Sequence, residues 1–170
     1  LARLGIPTPK TRSVCDDDDI TAVGLPCIVK PATGSGGSAM VYYAVDLEEA
    51  LVYADYIRRM GGSPLAQEYI DVDEGEFTVG VLSWSDGTIA SSIALRRNLE
   101  SKLSVLYQGR GGLVSTGYTQ GYIGEFSEIC RQAEAIAVSI GSRGPINIQG
   151  RLRDSVLVPF EINPRLSASS

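Results

Sequence analysis

The sequence contains no histidine, so the commonest general base of enzymes and the commonest transition-metal ligand are both missing. Its three cysteines, Cys15, Cys27 and Cys130, lie far apart and form no Cys-x-x-Cys pair, which argues against a disulfide framework or a zinc knot. Any chemistry must therefore come from carboxylates, lysine, arginine, main-chain amides or a cation that prefers oxygen ligands.

Other features that the sequence lacks disfavour two kinds of partner. It has no cluster of Lys and Arg, and 15 basic against 20 acidic residues leave a net charge of −5, so we expect no nucleic-acid partner. No apolar run approaches the roughly 20 residues of a membrane helix, and the N-terminus lacks the pattern of a signal peptide. We predict a soluble, cytoplasmic protein whose 170 residues form one domain or two small lobes that share a cleft.

The first residues have the pattern of a helix end. Leu1 to Gly5 is followed by Ile6-Pro7-Thr8-Pro9, and glycine followed by proline is a common way for a helix to stop. We interpret residues 1–8 as the end of a linker helix from a preceding domain. On this interpretation the chain is a fragment of a longer protein and is catalytically incomplete.

A glycine-rich segment separates two predicted strands, Leu25 to Lys30 and Met40 to Val45. Small residues let main-chain N–H groups converge on an anion, so this segment is either a phosphate loop or a flexible turn. No Gly-Lys-Ser/Thr follows, which excludes a Walker A loop, and a dinucleotide-binding loop would require a helix directly after Gly37 instead of a strand. Lys30 ends the first strand and would face the same phosphates. The segment comprises Thr33, Gly34, Ser35, Gly36, Gly37 and Ser38.

Hydrophobic periodicity predicts the remaining elements. A capping-box pattern at Asp46 and Glu49 begins one amphipathic helix, and Ile129 to Ile140 marks a second. Strands are predicted over residues 65–70, 76–82 and 88–96, whereas six glycines within residues 98–124 predict a mobile loop region. Three arginines in this part are either ligands of a phosphate or substrate carboxylate or ordinary surface charges: Arg96, Arg97 and Arg110.

The last stretch predicts a β-hairpin with one apolar and one polar face, because successive side chains of a strand alternate. On its first strand Ile146, Ile148 and Leu152 share the apolar face, opposite Asn147, Gln149 and Arg151. On its second strand Val156, Val158, Phe160 and Ile162 are predicted to share the apolar face, opposite Glu161 and Asn163.

Two sets of residues have a pattern that suits a nucleotide site. Gln149, Glu161 and Asn163 can offer oxygens to a common centre, which is the ligand type that magnesium prefers, although a solvated sheet face has the same pattern. The strand edge at Glu68, Tyr69 and Ile70 can bind adenine through main-chain groups, and Glu76 can accept ribose hydroxyls. The alternative for this second set is a charged hairpin.

Taken in order, these motifs resemble the ATP-grasp superfamily. The closing Asn163-Pro164-Arg165-Leu166-Ser167-Ala168-Ser169-Ser170, with Gln149 and Glu161 before it, is similar to the corresponding segment of the carbamoyl-phosphate synthase large subunit. The resemblance implies an α+β ATP-grasp fold of two α+β lobes with ATP between them: a small lobe at residues 9–65 with the glycine-rich lid, and a large, truncated lobe at residues 66–170.

The resemblance also implies roles for these residues. Lys30 would contact the phosphates, Glu68 to Ile70 would hold adenine, and Glu76 would hold ribose. Gln149, Glu161 and Asn163 would coordinate one or two Mg²⁺ ions, for which Mn²⁺ can substitute. Arg165 would lie near the transferred phosphoryl group and stabilise the charge that develops there.

The implied activity is that of an ATP-dependent ligase. A carboxylate or bicarbonate would be activated as an acyl phosphate and then attacked by an amine or ammonia. Two other hypotheses remain open at this point: a non-catalytic ATP-binding sensor or regulatory subunit of the same fold, and an NAD-binding module. A homodimer is compatible with each of them.

Overall fold

The computed structural model describes residues 1–33, 40–100, 105–108, 112–116 and 120–166. The chain divides into two compact units, each containing its own antiparallel sheet. We name them by these sheets. The four-strand unit comprises Pro9–Tyr69 and Leu99–Thr119, and the five-strand unit comprises Leu1–Thr8, Ile70–Asn98 and Gln120–Ser170.

In the four-strand unit the strands lie in the order β1 (Thr11–Ser13), β4 (Pro64–Glu68), β2 (Cys27–Pro31) and β3 (Tyr42–Ala44). Helices α1 (Asp17–Val23) and α2 (Leu47–Arg59) enclose a core with the apolar side chains of these strands. A separate two-stranded sheet of β7 (Val105–Gln108) and β8 (Gly112–Ser115) belongs to the same unit. The buried core comprises Val14, Ile20, Val23, Cys27, Val29, Ala44, Ala50, Ala54, Ile57 and Ala66.

The five-strand unit has the strand order β11 (Val156–Asn163), β10 (Gly144–Arg153), β5 (Glu76–Ser83), β6 (Ile89–Arg97) and β9 (Gly121–Ile123). Helix α3 (Ser127–Ser139) packs on one face, and a 3₁₀ turn (Ala2–Leu4) precedes the core residue Ile6. The longest helices described have 13 residues, and none in the described ranges has the length and apolarity needed to cross a membrane. The core comprises Ile6, Phe77, Val79, Val81, Ala94, Ile129, Ala133, Ile136, Ala137, Ile146, Ile148 and Leu157.

The strands on either side of the glycine-rich segment pair as an antiparallel hairpin. Ile28 lies opposite Tyr43 and Val29 opposite Tyr42. Among the residues described after the segment, the first helix is α2, whose aspartate cap Asp46 accepts the N–H of Glu49 at 3.0 Å. The strand prediction is therefore confirmed, and the helix that an NAD-binding module requires is not seen over residues 40–46.

The predicted loop over residues 98–124 is wrong in three places. Strands β7, β8 and β9 lie within it, and β9 joins the five-stranded sheet through the pairs Leu95–Ile123 and Arg97–Gly121. Glycine content suggested a loop because glycine lacks a side chain that favours a strand. Pairing with a neighbouring strand overrode that weak local preference.

The two units differ from the predicted lobes at their boundaries. A division after residue 65 would cut β4, whose residues up to Glu68 pair with β2. The four-strand unit instead continues to Tyr69 and also includes Leu99–Thr119, which the prediction gave to the other lobe. Sheet pairing of β4 sets the first of these boundaries, and contact of β8 with β3 accompanies the second.

The predicted apolar face of β11 is wrong for its first half. Register shifts between Gln149 and Gly150 of the partner strand, so Phe160 is an extra residue and the alternation changes phase. Leu157, which is 1% exposed, therefore enters the core opposite Leu152. Val158 instead pairs with Arg151 on the polar face, and Val156 is exposed. A bulge of this kind is invisible to strict alternation.

Candidate functional site

The polar face of the β10–β11 hairpin brings together the predicted metal ligands. Gln149 pairs directly with Glu161, and Asn147 pairs with Asn163. Residues paired across an antiparallel ladder lie on the same face, about 5 Å apart at their Cβ atoms. The side-chain amide of Asn163 donates a hydrogen bond of 2.8 Å to Oε1 of Glu161. The four side chains therefore form one contiguous group of oxygen donors.

The bulge is what places Glu161 in this group. If Phe160 were paired in the regular way, without the bulge, Glu161 would lie on the same face as the core residue Leu157, because four positions of a regular strand restore the same side. Gly150 permits the bulge, since a Cβ atom there would lie 2.8 Å from the Val158 oxygen and 2.9 Å from Leu157 Cδ1. The geometry of the candidate site thus depends on a glycine that carries no chemistry.

Two side chains, Glu74 and Gln132, hold the turn at the opposite end of the hairpin. Asp154 and Ser155 both have positive φ, at 54° and 61°, and form the turn. Their main-chain N–H groups each donate a 2.7 Å hydrogen bond to the carboxylate of Glu74. Gln132 of α3 accepts the N–H of Leu157 at 2.7 Å. Anchors at the turn restrict the hairpin that carries the oxygen donors.

A buried ion cluster lies further along the same sheet face. Glu76 has no exposed surface, and Arg151 and Arg97 are 6% and 5% exposed. Arg151 Nε donates to Glu76 Oε2 at 2.8 Å, and Arg97 Nη1 lies 3.3 Å from Oε1. Burial lowers the pKa of Arg97, and Glu76 opposes that change by favouring the charged form. Arg97, one of the three arginines with two open interpretations, is thus not a surface charge.

Two buried polar side chains on this face were not among the predicted site residues. Thr78 and Asn147 are 5% and 2% exposed, and no partner within the described residues bonds Thr78 Oγ1 or Asn147 Oδ1. Thr78 pairs with Gln149 and so adjoins the oxygen-donor group, to which Asn147 belongs. Buried oxygens without a partner are rare in folded proteins and often mark a place where a ligand or water binds. Strand alternation around Glu76 was the signal that would have identified Thr78.

The four-strand unit has a polar face of its own. Lys30 Nζ donates to Gln67 Oε1 at 2.9 Å, and Gln67 Nε2 donates to Thr11 Oγ1 at 3.0 Å. Neighbouring residues of β2, Cys27 and Val29, are fully buried in the core, so alternation turns Lys30 to the other side of the sheet. The lysine that sequence analysis singled out therefore lies at the end of a strand, half-buried and oriented by an amide.

The predicted adenine edge begins at the last residue of β4. Glu68 accepts the main-chain N–H of Lys10 at 3.0 Å through its carboxylate, which ties this residue to the start of β1. The ring of Tyr69 meets that of Tyr43 edge to face, with centroids 4.8 Å apart. The carbonyl of Ile70 accepts a 2.6 Å hydrogen bond from Arg151 Nη1. Side chains and main chain of this segment are thus held in place on both sides of Tyr69.

The structure describes fewer contacts for the other predicted site residues. Thr33 is exposed, two residues after the end of β2. Arg165 is exposed after β11, and its main-chain N–H donates to the Asn163 carbonyl at 2.8 Å. Gly34, Ser35, Gly36, Gly37 and Ser38 lie outside the described residues, as does Arg110. The buried Glu76 faces two guanidiniums, so a ribose hydroxyl would share this carboxylate with them.

Two antiparallel sheets, each packed with helices on one side and bearing polar side chains on the other, define an α+β protein whose sheets carry the candidate chemistry. A family model described as an ATP-grasp domain matches residues 1–169, and the chain belongs to this family. The predicted fold class and the resemblance are both confirmed.

Proteins of known sequence similar to this chain include carbamoyl phosphate synthase large chains. That of Micrococcus luteus is 30% identical over 174 residues, which cover 98% of this chain and 15% of that protein. That of Neisseria meningitidis serogroup B is 26% identical, with 98% and 16% covered. The chain therefore spans about 15% of the length of these relatives.

Solved structures with similar folds carry the names of several ligases. D-alanine–D-alanine ligase from Bacillus anthracis superposes with a TM-score of 0.71 at 17% identity, covering 98% of this chain and 54% of that one. L-amino acid ligase from Bacillus licheniformis gives a TM-score of 0.66 at 20% identity, covering 99% and 39%. At these identities the likeness shows the fold.

Proposed function

We propose that this chain is the nucleotide-binding part of an ATP- and Mg²⁺-dependent ligase that activates a carboxylate or bicarbonate for attack by an amine or ammonia. The observation that carries this proposal is the register of the β10–β11 hairpin, which pairs Gln149 with Glu161 and sets Asn163 beside it. Membership of the ATP-grasp family and the similarity to carbamoyl phosphate synthase large chains support the reaction type.

The donor set fits magnesium that is shared with a nucleotide. Within the described residues no group of three or more acidic or cysteine side chains forms a metal site. Glu161 contributes one carboxylate, while Gln149 and Asn163 contribute neutral amide oxygens. Magnesium is commonly held by one or two carboxylates together with substrate phosphates and water. The ion would neutralise phosphate charge, and these three side chains would hold it in place.

Lys30 and Arg165 supply the fixed positive charge in this proposal. The ammonium of Lys30, which donates to Gln67, would contact the phosphates of bound ATP. The guanidinium of Arg165, two residues after Asn163, would lie next to the transferred group. Preorganised charge stabilises a phosphoryl-transfer transition state without reorganisation during the reaction.

The reaction needs no protein nucleophile. An oxygen of the acid attacks the γ-phosphorus, the bond to the bridging oxygen of ADP breaks, and an acyl phosphate forms. The amine nitrogen then attacks the acyl carbon, inorganic phosphate leaves, and the nitrogen loses a proton to solvent. A chain without histidine is compatible with this chemistry, because both steps depend mainly on positioning and charge.

The test is ADP formation by the full-length gene product with MgATP and a panel of acids, each with and without ammonia or an amine. We expect acid-dependent ADP release that Glu161→Gln lowers by roughly 100-fold or more, the size of effect typical for a lost electrostatic group. Glu48→Gln, an exposed carboxylate of α2, serves as the matched control and should not change the rate.

Two results would count against the proposal. Glu161→Gln turning over like the parent would remove the metal assignment. MgATP binding without ADP release under any pair of substrates would favour the alternative, a non-catalytic sensor of the same fold. Binding of Mn²⁺ in place of Mg²⁺, followed by electron paramagnetic resonance, should depend strongly on added nucleotide because a single carboxylate binds the free ion weakly.

A further inference from the structure

Arg151 contacts two groups that the resemblance to ATP-grasp proteins assigns to the adenosine part of ATP. Its Nη1 donates to the Ile70 carbonyl at 2.6 Å, and its Nε donates to Glu76 Oε2 at 2.8 Å. Resting on the proposed function, we infer that Arg151 is a positioning residue for adenosine: it fixes the adenine-binding main chain and the ribose-binding carboxylate relative to each other.

The shape of the guanidinium suits this task. Its N–H donors point outward from one rigid plane, so a single side chain can hold two acceptors at a fixed distance and angle. Here the acceptors lie at the two ends of one loop, since Ile70 follows β4 and Glu76 begins β5. A lysine ammonium is a point charge on a flexible stem and cannot impose the same geometry.

The charge of Glu76 alone does not account for Arg151. Glu76 already faces Arg97 at 3.3 Å, so this carboxylate has two guanidinium partners, all of them buried, and Glu161 also favours the charged form of Arg97. The charge of Arg151 adds to burial in lowering the pKa of Arg97, because like charges repel. Burying a second cation is unfavourable unless its hydrogen bonds compensate. Arg151 also donates to the Ile70 carbonyl, a contact that its ion pair with Glu76 does not require.

Fixing this carbonyl has a direct consequence for base recognition. The peptide unit between Ile70 and Asp71 is planar, so holding its oxygen also fixes the direction of the Asp71 N–H. Hydrogen bonds weaken steeply when their angle falls. Recognition of adenine by main chain therefore depends on a rigid segment, and Arg151 fixes the Ile70 end of this segment.

The experiment measures binding of MgATP and MgGTP to the full-length protein by calorimetry, with thermal melting alongside. We expect Arg151→Met to weaken MgATP binding roughly 10- to 100-fold, as for loss of hydrogen bonds to a charged group. The ratio of ATP to GTP affinity should fall as well, and Arg151→Lys should recover only part of both. Arg153→Met, an exposed arginine two residues along β10, is the matched control and should bind as the parent does.

The outcomes separate this inference from the proposed function. If the parent binds MgATP and Arg151→Met keeps the parental ATP-to-GTP ratio, the positioning role is overturned, even if the melting temperature falls. If Arg151→Met does not fold, the ATP-to-GTP affinity ratio is measured for Arg151→Lys, which retains the charge. A parental ratio in that variant would overturn the positioning role. Absence of MgATP binding by the parent would instead remove the proposed function and this inference with it.

Discussion

The polar faces of the two sheets differ in how they hold their charged groups. In the four-strand unit, Lys30 is linked through the neutral amide of Gln67 to a hydroxyl, and the lysine remains half-buried. In the five-strand unit, Glu76 faces two guanidiniums, and all three side chains are almost fully buried. The first arrangement leaves the charge near water, whereas the second removes it from water.

This difference indicates which face can adjust to a ligand. A half-buried ammonium bonded to an amide can change partner at moderate cost, because it keeps access to water and a hydrogen bond of a charged group contributes about 1.5–3 kcal/mol. A buried ion cluster cannot, since any lost partner leaves an uncompensated charge. We therefore expect substitutions in the five-strand unit to affect stability most, and those in the four-strand unit to affect mainly binding.

Glu76→Gln should have the largest effect. It leaves two buried guanidiniums without their shared counter-charge, which typically costs about 3–5 kcal/mol. Urea unfolding of the parent and the variant measures this difference, and hydrogen exchange locates it in β5, β6 and β10. A loss below about 1 kcal/mol would contradict the idea that this face is rigid. Glu48→Gln on the exposed side of α2 is the control.

Gly150→Ala should have the next largest effect on stability. Its Cβ would approach the Val158 oxygen to 2.8 Å and Leu157 Cδ1 to 2.9 Å, so the bulge must shift, at a cost of about 1–3 kcal/mol. Because the bulge sets the face of Glu161, nucleotide-dependent Mn²⁺ binding should weaken too. Gly124→Ala, where the new Cβ would make only ordinary contacts from 3.4 Å, controls for the substitution type. Unchanged Mn²⁺ binding in a folded Gly150→Ala would show that the bulge does not matter.

The bulge also shows how far the sequence alone could predict this molecule. Alternation correctly placed Gln149, Glu161 and Asn163 on one face, since each strand segment is regular within itself. It placed Val156 and Val158 wrongly, because an extra residue at Phe160 changes the phase and only the partner strand reveals it. Local pattern determines each segment, and pairing determines how the segments join.

The ion cluster illustrates the same limit for the candidate site. Glu76, Arg97 and Arg151 are separated by up to 75 positions, and no spacing along the chain links them. Charged side chains are rarely fully buried, so neither interpretation left open for Arg97 included a buried ion pair. Thr78 and Asn147 were missed for a related reason, since their burial arises from neighbouring strands.

Gln67→Ala tests the face that we expect to adjust. Loss of the amide removes the bonds to Lys30 and Thr11 at 2.9 and 3.0 Å, and we expect a stability loss of about 2 kcal/mol. MgATP affinity should fall more in Gln67→Ala than in Thr11→Val, because Thr11→Val removes only the bond between Gln67 and Thr11 and leaves the bond to Lys30. Equal effects of the two variants on MgATP binding would show that Gln67 does not orient Lys30.

Asp19→Asn should have the smallest effect on stability, and this effect should depend on pH. The N–H of Cys15, at 2.8 Å, is the largest cause that lowers the pKa of Asp19 below its usual 3.8, and Arg12 at 3.6 Å adds to it. A pKa depressed in the folded state contributes stability above the unfolded value, and that contribution is lost as pH falls through the folded value. The melting temperatures of the parent and Asp19→Asn should therefore differ slightly at neutral pH and converge in acid. Asp18→Asn, an exposed neighbour in the same helical turn, controls for removing charge near the N-terminus of α1. A difference that persists at low pH would show that the ionised carboxylate is not its source.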